Sequence, residues 1–177
     1  MYGGHFPPQG HEEMLRSPPF AFVDGENREV DVRVYGHGPV DAEFEALVEM
    51  YLDFDPSFRT LGIPPVDEPR VREWLETILE GYSTVAWHDD RAVGHAVLVE
   101  EPDDGHELAI FLHQEYHGAG IGTQLLEALL THGREHGVDH VWLLVEGDNR
   151  PAVNLYNDVG FVVTDSFQGD VEMALAM

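Results

Sequence analysis

The segment HGAGIGTQLLEALL, His117 to Leu130, places glycines at 118, 120 and 122 directly ahead of a strongly apolar helical pattern. Without a Cβ, backbone N–H groups there can come within hydrogen-bonding distance of a bound group. The first amides of a helix lack intrahelical acceptors and sit at the positive end of its dipole. The chemistry on offer is therefore anion binding, phosphate above all. Three phosphate-binding arrangements compete. A Walker loop needs a lysine beside the phosphates, and this chain has none, because all 9 basic residues are Arg. A dinucleotide fingerprint starting at Gly118 would carry Thr123 at its third glycine. The strands upstream also read as hairpin-connected, which does not build a parallel doubly wound sheet. The third arrangement is a pyrophosphate held on the amides that open the helix from about Gly120. Its plain alternative is a glycine-rich turn that only links strand to helix.

A second candidate is the histidine series. His132, His136 and His140 recur every four residues, and the first two can share a helix face. Gly137 ends that helix before His140, and no carboxylate triad accompanies them, so no metal is expected. With no cysteine, thiolate metal sites and disulfides are excluded.

The elements that must position the glycine loop follow from periodicity. Residues 1–27, rich in Pro, Gly and His, read as an irregular N-terminal arm pinned by the aromatics at 20–22. Residues 28–177 read as a single domain. REVDVRVY, 28–35, alternates as a strand. DAEFEALVEMYLDF, 41–54, makes a helix with Phe44, Leu47, Val48 and Tyr51 on one face, and Asp41 as a candidate cap. EPRVREWLETILEG, 68–81, makes a second helix, with prolines at 56, 64, 65 and 69 between or at its start. STVAWH and RAVGHAVLVE form a hairpin about His88-Asp89-Asp90. ELAIFLH, 107–113, is a fourth strand, apolar on both faces as a central strand should be. The glycine helix runs to about His136. HVWLLVE, 140–146, is a fifth strand; a short helix at 150–158 and two closing strands complete the order β-α-α-β-β-β-α-β-α-β-β.

Charge narrows the partners. Asp and Glu number 34 against 9 basic residues, for a formal net charge of -25. Nonspecific nucleic-acid binding is excluded for want of a basic patch. The acids are scattered through every segment, a pattern that suits molar salt, where the Debye length is about 3 Å and self-repulsion is screened. A halophilic protein is the expectation, with steering of a cationic substrate as the alternative. No apolar run reaches the ~18 residues of a membrane span, and the N-terminus has no signal-peptide pattern, so a soluble, cytoplasmic protein is expected.

DNRPAVNLYNDVGF, Asp148 to Phe161, follows the fifth strand with Asn149, Ala152, Leu155, Tyr156 and Gly160-Phe161 in register. Together with the glycine loop it resembles the GNAT family, the Gcn5-related acyl-CoA-dependent N-acetyltransferases. Members carry [QR]-x-x-G-x-[GA] after the fourth strand and N-x-x-A-x-x-L-Y-x-x-x-G-F after the fifth. The likeness covers 28–177 in element order and 107–161 in motif detail. One position departs: His117 stands where the family has Arg or Gln. The resemblance implies an α/β (α+β) fold, a mixed, mostly antiparallel sheet of about seven strands. Helices would cover both faces, and the fourth and fifth strands would be parallel and splayed.

The resemblance also implies acetyl-CoA as cosubstrate. Its pantetheine would lie along the backbone of Ile110, Phe111 and Leu112, with an amide near Leu112 polarising the thioester carbonyl. The pyrophosphate would rest on His117, Gly118, Ala119, Gly120, Ile121, Gly122 and Thr123, with Asn149 contacting the coenzyme or capping its helix. Tyr156 would protonate the leaving sulfur. Glu107 is the candidate base, with Glu146 and His113 open; the alternative acid position, five residues before Asn149, holds Leu144. The acceptor, a small amine or a protein amine, would meet Tyr51, Phe54, Phe58 and Arg59, and a homodimer is left open. The rival class is a non-catalytic acyl-CoA-binding sensor module.

Overall fold

A computed structural model describes residues 4–5, 16–55 and 64–177. Its strands are β1 (Gly4–His5), β2 (Phe20–Val23), β3 (Glu29–Val34), β4 (Tyr82–His88), β5 (Arg91–Glu100), β6 (His106–Leu112), β7 (His140–Glu146), β8 (Val162–Phe167) and β9 (Asp170–Ala176). Its helices are α1 (Val40–Leu52), α2 (Glu68–Ile78), α3 (Ile121–Glu135) and α4 (Arg150–Val159). All strands join one sheet in the order β1-β9-β7-β6-β5-β4-β3-β2, with β8 also on β9. Pairing is antiparallel except between β6 and β7 and between β1 and β9.

The seven expected strands are present, and two more come from the segment read as an irregular arm. There β2 pairs with β3 over four rungs and packs Phe20 and Phe22 against the core. A strand of four residues between prolines and glycines is too short to show a period; what makes it a strand is the edge of β3 waiting beside it. The first helix also starts differently, with Pro39 at the cap and Asp41 in the first turn, where its charge still suits the dipole.

The sheet separates two apolar layers. On one face lie α3 and α4, with Leu125, Leu126 and Leu129 fully buried against Ala96, Leu98 and Leu143. On the other lie α1 and α2, with Leu47, Tyr51, Val71 and Leu75 against Val85, Trp87 and Val97. Alternation along β4 and β5 sends neighbouring residues to opposite layers, which explains why both strands are apolar throughout. Asp67 accepts the Arg70 N–H at the start of α2, and Gly160, at φ 119°, closes α4.

Candidate functional site

The site begins where two parallel strands part. β6 and β7 share rungs at His106–Val141 and Glu107–Trp142. Among the described residues the pairing stops there, although β6 stays on β5 to Leu112 and β7 stays on β9 to Glu146. A wedge opens beyond Glu107. The His113 N–H donates to the Val93 carbonyl at 2.9 Å, so by alternation the backbone of Phe111 also points to β5, and that of Ile110 and Leu112 points into the wedge. The Leu112 carbonyl agrees, since it accepts His117 Nε2–H at 2.7 Å. Of the three backbone groups expected to line the gap, Ile110 and Leu112 do so. Phe111 does not: its main chain serves the β5 ladder, and its ring packs 5.5 Å from Tyr51.

The wedge leads to the glycine loop. His113 Nδ1 accepts the Glu115 N–H at 3.2 Å and opens a single 3-10 turn, Gln114–Tyr116. Gly118 (φ 72°) and Gly120 (φ 85°) then adopt left-handed backbone, which L side chains rarely tolerate. A Cβ at either would have nothing within 4 Å, so this surface is open. Gly120 is the N-cap of α3 and supplies no side-chain cap. The first intrahelical bond is Gln124 N–H to Gly120 O, at 3.5 Å. The amides of Ile121, Gly122 and Thr123 precede it and have no acceptor within the helix. Ala119 is buried between the two exposed glycines and turns the loop inward.

Tyr156 comes from α4. It is buried, its ring meets Phe161 at 5.8 Å, and burial pushes its hydroxyl up to about 12, so it keeps its proton near neutrality. Asn149 caps α4, its Oδ1 accepting the Ala152 N–H at 3.4 Å. Glu107 sits at the mouth of the wedge on the last β6–β7 rung. Alternation places it on the same sheet face as Ala109 and Phe111, which pack toward α1 and α2. Burial raises its carboxyl above the ordinary range, and the charge of Glu101 raises it further. Glu146, exposed, lines an open depression of about 630 Å³ with Asp148, Arg150 and Asp170.

The acceptor residues fare differently. Tyr51 has no exposed surface; its hydroxyl hydrogen-bonds buried His95 Nδ1 at 2.6 Å, and its ring is ringed by Phe54, Trp74 and Phe111. It is a core residue, because the apolar face of α1 that it shares with Leu47 and Val48 is the face that packs on the sheet. Burial depresses His95 to about 3, so it stays neutral. Phe54 is half-buried at the end of α1, 6.2 Å from the His113 ring. Phe58 and Arg59 lie outside the described residues.

One constellation has no sequence signal. His113 is fully buried, and its Nε2 lies 2.7 Å from Asp53 Oδ2, which Arg91 Nη2 also meets at 3.2 Å. Gln114 bonds the backbone on both sides of Phe54, donating to Asp53 O at 2.8 Å and accepting from Asp55 N–H at 3.1 Å. These contacts tie the end of α1 to the end of β6 across sixty residues. His132 and His136 do stack, with ring centroids 4.3 Å apart, and Tyr82 packs on both. Among the described residues no group of three metal-capable side chains converges, and no helix is long and apolar enough to cross a membrane.

A mixed sheet with one internal parallel pair splayed beside a glycine-rich helix start defines a class, the N-acetyltransferase fold. The family model described as Acetyltransferase (GNAT) family matches residues 44–161, more than half of the chain, and the chain belongs to that family. A mycothiol acetyltransferase of Corynebacterium glutamicum (strain R) is 38% identical over 81 residues, which are 45% of this chain and 28% of that protein. The chain thus matches less than a third of that relative's length. Among solved structures, the GNAT domain of S. lividans PAT superposes with a TM-score of 0.73 at 18% identity, covering 92% of this chain and all of that one. The Salmonella typhimurium protein yncA, solved with its cofactor acetyl-CoA, gives 0.63 at 18% identity over 83% of this chain and 93% of that one. At these identities the structures speak to the fold alone.

Proposed function

We propose that this chain transfers an acetyl group from acetyl-CoA to a primary amine by direct attack in a ternary complex. The observation that carries it is the wedge beyond Glu107, which runs into the open amide cradle at Gly118–Thr123. Three amides with no acceptor within the helix and two left-handed glycines that face open space fit a pyrophosphate, and the Ile110 backbone and the Leu112 N–H, turned away from β5, fit an amide-bearing arm laid along them. Bound there, acetyl-CoA supplies an acetyl group activated as a thioester.

The chain's own residues would do the rest. The Leu112 N–H, pointing into the wedge, stabilises negative charge where the acceptor nitrogen attacks the carbonyl. As the C–N bond forms and the C–S bond breaks, Glu107 takes the proton from nitrogen, directly or through a water. Burial and the nearby charge of Glu101 raise its pKa, which strengthens it as a base. Tyr156 gives a proton to the sulfur and is protonated beforehand, as its burial requires. His117 holds the Leu112 carbonyl in place and brings less charge to the cradle than Arg would. Proximity of the two reactants accounts for a large part of the rate, so Glu107 is not the sole source of acceleration.

The acceptor would enter over the sheet face that carries Glu107 and Trp142, beyond the edge of α1 and α2. The carboxylates of Glu146, Asp148 and Asp170 about the open depression suit an amine. The test is calorimetric titration with acetyl-CoA, followed by a panel of amines assayed for free CoA with wild type and Tyr156→Phe. The enzyme reading expects the variant to bind acetyl-CoA normally and to lose about tenfold or more in turnover. Wild type that binds acetyl-CoA and acetylates no amine would favour the sensor instead.

A further inference from the structure

The β2–β3 turn lies outside the span matched by the family model, yet it touches the glycine loop directly. The Gly25 N–H donates to the Ala119 carbonyl at 2.9 Å. Arg28 Nη1 donates to the Glu115 carbonyl at 3.1 Å, and its guanidinium lies 4.1 Å from the centroid of the Tyr116 ring. The turn is itself rigid. The Asp24 carboxylate, with no exposed side-chain surface, accepts from the N–H groups of Glu26 (3.0 Å) and Arg28 (2.8 Å) and from Arg28 Nε (2.8 Å). Tyr116, under the guanidinium, is held from below by His88 at 2.6 Å.

We infer that the Asp24–Arg28 turn is a brace for the coenzyme's pyrophosphate loop, with Gly25 and Arg28 as positioning residues. The inference rests on the coenzyme reading above. In a trans peptide the C=O and the following N–H point in opposite directions. Drawing the Ala119 carbonyl toward Gly25 therefore turns the Gly120 N–H the other way, out to the open face where the anion would sit. Gly25 must come this close: a Cβ there would stand 3.3 Å from Ala119 Cα and 3.4 Å from its oxygen. Arg28 anchors the entry of the loop as Gly25 anchors its exit. Arg28 Nη2 is buried with no partner among the described residues. A polar group buried unsatisfied is costly, so the placement of this side chain is maintained by what it holds. The brace also answers the departure at His117: where the loop carries less charge toward the phosphates, preorganised amides must supply more of the binding.

The test compares wild type, Arg28→Gln and Gly25→Val by amide hydrogen exchange over residues 115–123 and by calorimetric titration with acetyl-CoA. Gly25→Val keeps the Asp24–Arg28 pair and disturbs only the approach to Ala119, so it reports even where Arg28→Gln folds poorly. Expected are faster exchange in that segment with β5 unchanged, and an acetyl-CoA dissociation constant raised about tenfold, the size of one hydrogen bond to a charged group. Binding of S-acetyl-pantetheine, which has the thioester without the pyrophosphate, should not change. Unaltered exchange, unaltered acetyl-CoA affinity, or an equal loss for both donors each overturns the brace. Wild type that binds no acetyl-CoA fails the coenzyme reading itself and takes the brace with it, an outcome visible before any variant is made.

Discussion

Substitution at Asn149 can separate its observed cap from its proposed contact with the coenzyme. Its Oδ1 caps α4 by accepting the Ala152 N–H, and we propose that the same residue meets the coenzyme. Asn149→Ala removes both. At 3.4 Å the capping bond is long, so its loss belongs in the lower part of the usual range for a cap, about 0.5–1 kcal/mol. In a domain of this size 1 kcal/mol shifts Tm by about 2–4 °C, which predicts a fall of about 1–4 °C. Asn149→Asp behaves differently. Aspartate caps as well as asparagine, and its charge suits the positive end of the helix, so Tm should hold or rise slightly. Toward an anionic coenzyme, however, the new carboxylate is repulsive. A like-charge contact of about 1–2 kcal/mol at a partly exposed site weakens acetyl-CoA binding about five- to thirtyfold. The assays are thermal unfolding by circular dichroism and calorimetric titration, at about 0.1 M salt where screening is moderate. An aspartate variant that binds acetyl-CoA as wild type does would refute the coenzyme contact. An alanine variant of unchanged Tm would refute the cap.

Glu107→Gln should flatten the acid limb of the rate–pH profile, a loss of about a hundredfold at most given the share owed to proximity. Glu101→Gln should move that limb to lower pH by removing the charge that raises Glu107; matching profiles for wild type and Glu107→Gln would exclude it as the base. The sign for stability is the reverse of a paired carboxylate: with its folded pKa raised, Glu107 favours the fold below the ordinary carboxylate pKa and loses that contribution as pH rises through the folded value. The glutamine variant should therefore be the more stable protein at neutral pH, as thermal scans at two pH values would show. Leu125→Ala, fully buried between α3 and the sheet, should cost about 2–5 kcal/mol, read from the denaturant midpoint; a loss under about 1 kcal/mol would mean that the layer is not packed as described. With a net charge of -25, Tm should climb between about 0.1 M and 2 M KCl as repulsion is screened. A flat response would favour substrate steering as the reason for the acidity.

Local patterns carried most of the architecture. The helices of 40–52, 68–78, 121–135 and 150–159 and the seven long strands follow from period, caps and glycine stops. The family signature in 117–122 and 149–161 also predicted that a wedge would open between the strands now seen as β6 and β7. The misses share a cause. The family resemblance points Tyr51 at the acceptor, whereas its helical period puts it with Leu47 and Val48, and burial against His95 across the layer makes it core. Phe111 was grouped with its neighbours along the gap, but the ladder to β5 sets which backbone groups are free. The strand β2 has no period of its own and exists because β3 offers an edge.

What the sequence determined by itself is whatever depends on near neighbours: helix starts and stops, strand alternation, the glycine-led helix start, the absence of lysine and cysteine, and the abundance of acidic residues. Tertiary structure decided the contacts between residues far apart in the chain. Asp53 meets His113, and Gly25 and Arg28 grip a loop some ninety residues away. The physical reason is range. Propensity and periodicity act over one or two turns of helix, whereas a side chain's burial and a carbonyl's hydrogen-bond partner depend on what the rest of the fold brings against it.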